Sequence, residues 1–352
     1  MPSSKNRSAP AAAEPPPFSP VPREEDGGLD LALRPLTFEG FVGQAQSVDN
    51  LKVAIEAARQ RGEPLDHVLL SGLPGLGKTT LACLLAKAMG SELRLTSGPA
   101  LGRAADLAGL LTNLKKGDVL FVDEVHRLSP VVEEYLYSAM EEYAIDIVID
   151  SGPAARSVRV SLQPFTLVGA TTREGLLSAP FRSRFGITEK LEPYPAGDLR
   201  EIVVRSAAML GVAIEPGAAD LLASRARGTP RVANRFLKRV RDLAQLVSKN
   251  RITEAVARDA MGRLGVDGNG LSTVDRSLLQ GLARTGGGPV GLKTVALLVG
   301  EEEDTVEDVI EPFLVQQGYL DRTPRGRRLT ERGFTVLGEK PPRGAAATPL
   351  FG

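Results

Sequence analysis

The chain has 352 residues, of which 42% are hydrophobic and 24% are charged, and its formal net charge at pH 7 is zero. The length accommodates two or three domains, and the composition is that of an ordinary soluble globular protein. The balanced charge excludes a global attraction to nucleic acid, so any DNA contact requires local clusters of basic residues.

The two ends of the chain differ in composition from its centre. Residues 1–28 are rich in Pro, Ala and Ser, which predicts a disordered arm, and residues 339–352 are predicted to be a disordered tail. No apolar run approaches the ~18 residues of a membrane span, and the N-terminus lacks the apolar stretch of a signal peptide. Cys83 is the single cysteine and is expected to be a small buried hydrophobe. These features predict a cytoplasmic protein.

Residues 29–194 predict an α/β domain with a parallel sheet, because short apolar strands alternate with amphipathic helices. The predicted strands are Val68–Ser71, Val119–Asp123 and Thr166–Ala170. Two further segments, Ile145–Asp150 and Ser157–Leu162, alternate in polarity around a Gly-Pro turn. They predict a hairpin inserted into the domain.

The segment from Gly72 to Thr79, with the sequence GLPGLGKT, fits a phosphate-binding loop at every fixed position. An apolar strand precedes it and a helical pattern follows, which is the context that this loop requires. Glycines let the backbone turn its N–H groups toward an anion, and the helix N-terminus adds a positive dipole end. Lys78 is expected to reach the β- and γ-phosphates, and the Thr79 hydroxyl to bind Mg²⁺.

A second motif, which is acidic, begins 45 residues after Lys78, where the strand Val119–Asp123 is followed by Glu124. A carboxylate at such a strand tip predicts an Mg²⁺ ligand at Asp123. Glu124 is then placed to orient or deprotonate an attacking water. A strand ending in a solvated acidic turn is the alternative, and the phosphate loop at this separation argues against it.

Three further polar residues are weaker candidates. Thr172 ends the strand Thr166–Ala170 and is expected either to touch the γ-phosphate or its water or to cap the strand. Arg184 is either a solvated arginine or a cation that reaches the nucleotide of a neighbouring subunit. Arg231 lies in the first turn of a predicted helix, where the dipole disfavours a cation, and this favours an anionic partner.

The remaining chain predicts two smaller domains. Residues 195–265 have a purely helical pattern, and residues 266–338 combine helical patterns with a basic two-stranded hairpin, which predicts a winged helix. Arg322, Arg325 and Arg327 lie on that hairpin and are expected to contact DNA phosphates without reading bases. A solvated basic hairpin in a protein-interaction domain is the alternative.

These motifs together resemble AAA+ ATPases and, within them, the bacterial motors that drive Holliday-junction branch migration. The resemblance covers about residues 33–337 and rests on Leu33–Pro35, Val42–Gln44, Gly72–Thr80, Thr96–Pro99, Asp123–Leu128, Gly169–Arg173, Arg184–Gly186, Arg227–Asn234, Gly287–Gly291 and Arg322–Arg327. It implies an ATP-dependent DNA translocase of recombination and repair, built from an AAA+ sheet domain, a small helical lid and a winged-helix head.

The resemblance also implies roles for individual residues. Leu33, Arg34 and Tyr194 are expected at the adenine end, and Thr172 and Arg231 as the two sensors. Arg184 is expected as the arginine finger. The residues expected to bind the phosphates and Mg²⁺ are Gly75, Gly77, Lys78, Thr79 and Thr80. Glu141, Glu142 and Tyr143 are expected to approach the nucleotide through their backbone.

The implied assembly is a hexameric ring on duplex DNA at a four-way junction, with RuvA docked on the hairpin at about 145–162 and with the RuvC resolvase. The chain departs from the family pattern at Leu73, Glu142 and Ser183, and none of these changes removes a catalytic group. Two other functions stay open: a clamp-loader-like switch, and a DNA-binding regulator whose ATP site does not turn over. The winged-helix pattern argues against the first and Glu124 against the second.

Overall fold

The structure is a computed structural model that describes residues 32–148 and 157–341, in two compact units divided between Ala260 and Met261. The first unit contains a five-stranded sheet in the order β2-β3-β6-β1-β7. Its strands are β1 (Val68–Ser71), β2 (Leu93–Ser97), β3 (Val119–Asp123), β6 (Thr166–Thr171) and β7 (Ile187–Lys190). All four pairings are parallel, which confirms the predicted α/β class.

Helices of the sheet domain lie before β1 and between the later strands. They are α1 (Ala45–Arg61), α2 (Lys78–Met89), α3 (Ala104–Thr112), α4 (Pro130–Glu142) and α5 (Ala179–Arg182). The side chains of the central strands are buried on both faces, as expected for a parallel sheet between helices. Leu69, Leu120 and Leu167 are fully buried in one cluster with apolar residues of α3 and α4.

The inserted hairpin forms between β4 (Ala144–Val148) and β5 (Ser157–Ser161), which pair antiparallel. This confirms the hairpin predicted from the alternating pattern over the residues that the structure describes. The predicted turn and Ile149 lie outside the described residues. The base of the hairpin is tied to the domain, since the Leu162 amide donates to the Tyr143 carbonyl at 2.7 Å.

The lid follows the sheet domain within the first unit, except that the last three residues of its final helix fall in the second. Its helices are α6 (Ala196–Met209), α7 (Pro216–Arg225), α8 (Pro230–Val247) and α9 (Glu254–Arg263). The expectation of a purely helical segment is wrong in one detail, because β8 (Ala213–Ile214) pairs in parallel with β9 (Arg251–Ile252). Each strand has only two residues, which is too short to produce an alternating sequence pattern.

The second unit is a winged helix. It contains α10 (Thr273–Arg284), α11 (Leu292–Val299), α12 (Glu303–Thr305), a π-helical turn (Val306–Ile310), α13 (Glu311–Gln316), β10 (Leu320–Thr323), β11 (Gly326–Leu329) and α14 (Glu331–Leu337). The strands β10 and β11 form the predicted basic hairpin, and Val290 bridges to Arg327 on its free edge. The helical segment between Glu303 and Gln316 thus contains a π turn. Among the described residues, no helix has the length and apolarity needed to cross a bilayer.

Candidate nucleotide site

The parallel sheet brings the sequence motifs together at one edge. β1 ends at Ser71 directly before the phosphate loop, and its neighbour β6 ends at Thr171, with the two residues in register. On the other side of β6, β3 ends at Asp123. Because carboxyl ends of parallel strands share an edge, residues more than 40 positions apart in sequence converge there.

The phosphate loop has the backbone that its glycines allow. Gly75 has φ +82°, and a Cβ placed there would lie 2.9 Å from the Cβ of Arg231. A side chain at this position would therefore be strained and would also collide with the start of α8. Helix α2 begins at Lys78, so its first N–H groups and positive dipole end lie at the loop.

The Lys78 ammonium is held inside the loop. Lys78 is 7% exposed, and its Nζ donates to the carbonyl oxygens of Gly72 at 2.6 Å and Leu73 at 2.9 Å. Burial, opposed by Asp123 and Glu124 and assisted by Arg231, lowers the pKa of Lys78 to about 8. The ammonium is therefore positioned for an anion that would replace its two carbonyl partners.

Asp123 and Glu124 form an acidic pair at the end of β3. The Asp123 Oδ1 atom accepts from the Glu124 amide at 2.9 Å, and Glu124 adopts a left-handed backbone with φ +49°. The 3₁₀ turn Val125–Arg127 follows, and it places the Arg127 Nη1 atom 3.3 Å from the Glu124 Oε2 atom. Both side chains of this ion pair are about half exposed.

A histidine joins this turn to the tip of β6. The His126 Nδ1 atom lies 3.0 Å from the Thr171 Oγ1 atom, and Thr171 also accepts from the Arg173 amide at 3.0 Å. Thr172, the next residue, lines the same cleft as Lys78 and Asp123. The turn that carries Glu124 and the strand that carries Thr172 are thus hydrogen-bonded to each other.

The cleft extends from the phosphate loop to an apolar end. Leu33 and Tyr194 are buried there, and the Tyr194 hydroxyl donates to the Leu76 carbonyl at 3.2 Å. Desolvation raises the pKa of Tyr194, so the phenol stays neutral. The predicted residues that line this cleft are Leu33, Arg34, Gly75, Gly77, Lys78, Thr79, Thr80, Asp123, Glu124, Thr172, Tyr194 and Arg231.

Four predicted residues lie elsewhere. Arg184, Glu141, Glu142 and Tyr143 do not line the cleft of their own subunit. The Arg184 Nη2 atom lies 2.8 Å from the Glu141 Oε2 atom and also donates to the Tyr137 hydroxyl. The Arg184 guanidinium carbon is 4.7 Å from the centroid of the Tyr137 ring. Arg184 and the end of α4 therefore form a second cluster on the same domain, and Glu142 forms an ion pair with Arg159 of the hairpin.

The wing arginines are more constrained than the sequence predicts. Arg327 is only 14% exposed, and its Nε atom lies 2.6 Å from the Oε1 atom of Glu311, which is fully buried. The Arg322 Nε atom lies 2.8 Å from the other carboxylate oxygen of Glu311. Arg325 lies at the turn between β10 and β11 and is exposed. Arg327 therefore does not project freely into solvent, because a buried carboxylate on α13 holds it, and its contact with DNA stays a prediction.

The chain matches three family profiles that together cover most of its length. They are the Holliday junction DNA helicase RuvB P-loop domain at residues 33–191, the RuvB AAA lid domain at 194–267 and the RuvB C-terminal winged helix domain at 268–338. The chain belongs to the RuvB family. This assignment confirms the predicted AAA+ sheet domain, lid and winged helix.

Curated relatives and solved structures agree with the assignment to the RuvB family. The Holliday junction branch migration complex subunit RuvB of Myxococcus xanthus is 55% identical over 319 residues, covering 90% of this chain and 93% of that protein. The subunit of the same name from Chlorobaculum tepidum is 54% identical over 88% of this chain and 90% of its own. The Thermotoga maritima RuvB Holliday junction branch migration motor superposes with a TM-score of 0.80 at 47% identity, covering 88% and 99% of the two chains.

Several site residues were missed by sequence reasoning. Arg205 of α6 and Asn234 of α8 line the cleft, and Arg127 contacts Glu124. Asn234 follows Arg231 by three residues, so helical spacing places both on one face, and this signal was available. Arg205 is separated from the other motifs in sequence, and no local pattern distinguishes it from a solvated helix residue.

Proposed function

We propose that this protein is an ATP-hydrolysing motor that moves duplex DNA through Holliday junctions during recombination and repair. The observation that carries the proposal is the convergence of Lys78, Asp123, Glu124 and Thr172 in one cleft of a chain with RuvB-family domains over residues 33–338. The winged helix supplies a second unit of a type used for DNA binding.

In the proposed reaction, the protein holds a nucleoside triphosphate and orients water. Lys78 exchanges its carbonyl partners for phosphate oxygens, and the amides of Gly75, Gly77 and Thr80 complete the cradle. Glu124 orients the attacking water and accepts its proton, and Thr172 fixes that water or the γ-phosphate. Leu33, Arg34 and Tyr194 enclose the nucleoside end, and Arg231 of the lid reaches the phosphates.

Thr79 and Asp123 would hold a magnesium ion in this cleft. Both line it, and they supply one hydroxyl and one carboxylate oxygen. That donor set fits Mg²⁺, which keeps several waters and takes one or two protein oxygens beside the phosphates. When bound, the ion neutralises charge that develops on the β- and γ-phosphates.

Arg184 is proposed to act on the nucleotide of an adjacent subunit. It does not line the cleft of its own subunit, and Glu141 and Tyr137 orient it. The neighbouring backbone from Glu141 to Tyr143 would approach the same nucleotide. This arrangement requires a head-to-tail contact between subunits, and we propose that six copies close into a ring around duplex DNA.

The winged helix is proposed to contact DNA through phosphates alone. Arg325 is placed at the exposed turn, Arg322 is half exposed, and Arg327 is held by Glu311. Direct contact is therefore assigned chiefly to Arg325 and Arg322, with Arg327 positioning the hairpin.

The paired β4–β5 strands, whose Val158 side chain is 46% exposed, are proposed to dock RuvA. RuvC is the proposed resolving partner, and the cytoplasm the compartment.

A clamp-loader-like switch or a non-hydrolysing regulator would use the same fold. The ATPase rate with and without duplex DNA separates these functions. For the motor, we expect stimulation by DNA and a loss of roughly 10²–10⁴-fold in turnover for Glu124→Gln, with nucleotide affinity retained. The matched control is Glu56→Gln, on an exposed face of α1, which should turn over normally. Equal rates for wild type and Glu124→Gln would overturn the proposal.

Mixing two inactive variants tests whether Arg184 acts between subunits. In a mixed ring, some nucleotide pockets belong to an Arg184→Ala subunit, which retains Glu124, and adjoin a Glu124→Gln subunit, which supplies Arg184. Such a pocket contains every required group. Random mixing at equal amounts should restore roughly a quarter of the interfaces and hence measurable turnover. No recovery in rings shown to exchange subunits would exclude an action of Arg184 in trans.

A further inference from the structure

Asn234 is a buried polar side chain whose position in the cleft is unexplained by hydrolysis. It lies on α8, is 9% exposed, and lines the cleft together with Ile202 and Arg205 of α6. Its Oδ1 atom is buried and has no hydrogen-bond donor among the described residues. Buried side-chain acceptors are nearly always satisfied, so this oxygen calls for a partner that binds in the cleft.

The chemistry of an amide oxygen limits what that partner can be. A carbonyl oxygen accepts hydrogen bonds and needs a donor. The phosphates of a nucleotide are fully ionised near neutral pH and offer acceptors only, so they cannot satisfy it. The donors that ATP carries are the exocyclic amine on C6 of the base and the two ribose hydroxyls.

The position of Asn234 on the helix agrees with this assignment. Arg231 lies at the start of α8, where its Cβ approaches Gly75 of the phosphate loop. Asn234 is three residues further, about 4.5 Å along the helix axis at 1.5 Å per residue and on the same face. The neighbouring lining residues include the apolar Ile202 and Pro230. One helix thus presents a cation to the phosphate loop and a neutral acceptor one turn away.

Arg205 also lines the cleft and carries hydrogen-bond donors. Its Nη1 atom donates to the Gly40 carbonyl, and its Nε atom is buried without a partner among the described residues. Because the Nε donor and the Asn234 acceptor are both unsatisfied, they are not hydrogen-bonded to each other. The Gly40 contact engages the guanidinium, while the amide oxygen of the cleft-lining Asn234 keeps no donor among the described residues.

We propose that Asn234 is a nucleoside-specificity residue, whose Oδ1 atom accepts a hydrogen bond from the base amine or a ribose hydroxyl of the bound nucleotide. The proposal rests on the nucleotide site described above and adds a neutral hydrogen bond that selects among nucleotides. It gives the lid a contact with the nucleoside in addition to the phosphate contact proposed for Arg231.

Nucleotide dissociation constants for wild type and Asn234→Leu test this proposal. Leucine has nearly the shape of asparagine but no hydrogen-bonding group. The probes are ATP, purine riboside 5′-triphosphate, which lacks the C6 amine, and 2′-deoxy- and 3′-deoxy-ATP, each lacking one hydroxyl. Wild type should prefer ATP over one of these analogues by about two- to tenfold, the range of a neutral hydrogen bond. In Asn234→Leu that preference should fall to about one.

The outcome identifies the partner of the amide oxygen. If the preference lost is the one against the purine riboside, the C6 amine is the donor; if it is one against a deoxynucleotide, a ribose hydroxyl is. Each ratio compares two ligands on one protein, so a partial loss of folded material cancels. Unchanged ratios for all analogues would overturn the assignment. Lys78→Ala should weaken every nucleotide together, and undiminished binding there would instead overturn the nucleotide site itself.

Discussion

The guanidinium of Arg127 lies 3.3 Å from the carboxylate of Glu124, the residue proposed to activate water. This pair holds the carboxylate on the side of its own 3₁₀ turn. A glutamate that accepts from an arginine is less available to a water molecule. The carboxylate proposed to activate water is therefore engaged with a neighbour in its own loop.

Replacing Arg127 with glutamine should raise the ATPase rate measured without DNA. Exposed pairs of this kind contribute about 0.2–1 kcal/mol, so the increase should be about two- to fivefold. The control is Arg103→Gln, which removes another exposed arginine–carboxylate pair three residues apart, with Asp106 on α3. That variant should keep the basal rate. A fall in rate for Arg127→Gln would mean that the arginine holds Glu124 in its working position.

Nucleotide affinity should decrease as the pH rises above about 8. The pKa of Lys78 in the free protein is lowered to about 8 by burial, and phosphates that bind the ammonium must raise it again. Binding above pH 8 is therefore coupled to proton uptake, and affinity falls by up to about tenfold per pH unit. Calorimetry at pH 8.5 in two buffers of different ionisation enthalpy measures the uptake.

The titration of Lys78 also makes stability depend on pH, in the direction opposite to its effect on nucleotide affinity. Its pKa in the folded protein lies below the unfolded value of 10.5, so the unfolded chain binds more protons between about pH 8 and 10.5. The contribution of Lys78 to the free energy of unfolding thus rises with pH in that window. Lys78→Arg, which stays charged, should abolish both pH effects; persistence of the proton uptake in that variant would assign it to another group.

Removing Arg327 should destabilise the winged helix more than it weakens DNA contact directly. Glu311 is fully buried, and Arg322 alone would remain to compensate its charge. We expect a loss of about 1–3 kcal/mol in the free energy of unfolding for Arg327→Ala, measured by urea denaturation. Arg325→Ala, at the exposed turn, should leave stability unchanged while it lowers DNA affinity and the salt dependence of binding. A larger loss of stability for Arg325→Ala than for Arg327→Ala would contradict this division of roles between the two arginines.

Mild acid should destabilise the sheet domain through His67. Its Nδ1 atom accepts from the Leu167 amide at 2.9 Å, and its Nε2 atom lies 3.2 Å from the Met140 carbonyl. Burial lowers the pKa of His67 below 6.5, so the folded protein holds the neutral ring. Stability is then retained above pH 6.5 and lost below it, because the unfolded chain binds the proton first.

Urea unfolding at pH 7.5 and 5.5 measures the contribution of His67. We expect a decrease of up to about 1.4 kcal/mol per pH unit below the unfolded pKa. The chain has only one other histidine, His126, so His126→Asn is the natural control and should keep the decrease. A His67→Gln variant that shows the same pH dependence as wild type would attribute the effect to other groups.

The elements that the sequence predicts well are those with continuous local patterns. The strands β1, β3 and β6 have continuous apolar centres that end in a polar residue, and the phosphate loop follows from fixed spacing. By contrast, β7 reads Ile-Thr-Glu-Lys and β2 reads Leu-Arg-Leu-Thr-Ser, and neither was predicted. Both are edge strands with one paired neighbour, where polar side chains are tolerated and the apolar signal is weak.

The site was predictable where chemistry lies in adjacent residues. Lys78 with Thr79 and Asp123 with Glu124 are readable from their motifs. The contact between Arg184 and Tyr137 joins the turn after α5 to helix α4, and the ion pair between Arg327 and Glu311 crosses from a strand to a helix. Such pairs depend on tertiary packing. The exposure of an arginine therefore could not be inferred from its position on a hairpin.

Tyr194 connects the phosphate loop with the lid through two hydrogen bonds. Its hydroxyl donates to the carbonyl of Leu76, and its amide donates to the carbonyl of Gly228, two residues before α8 begins. One aromatic residue thus links the phosphate loop to the segment that leads into α8 of the lid. A rotation of the lid that keeps both hydrogen bonds would carry the Leu76 peptide with it, and would thereby couple movement of the lid to the grip of the loop on a phosphate.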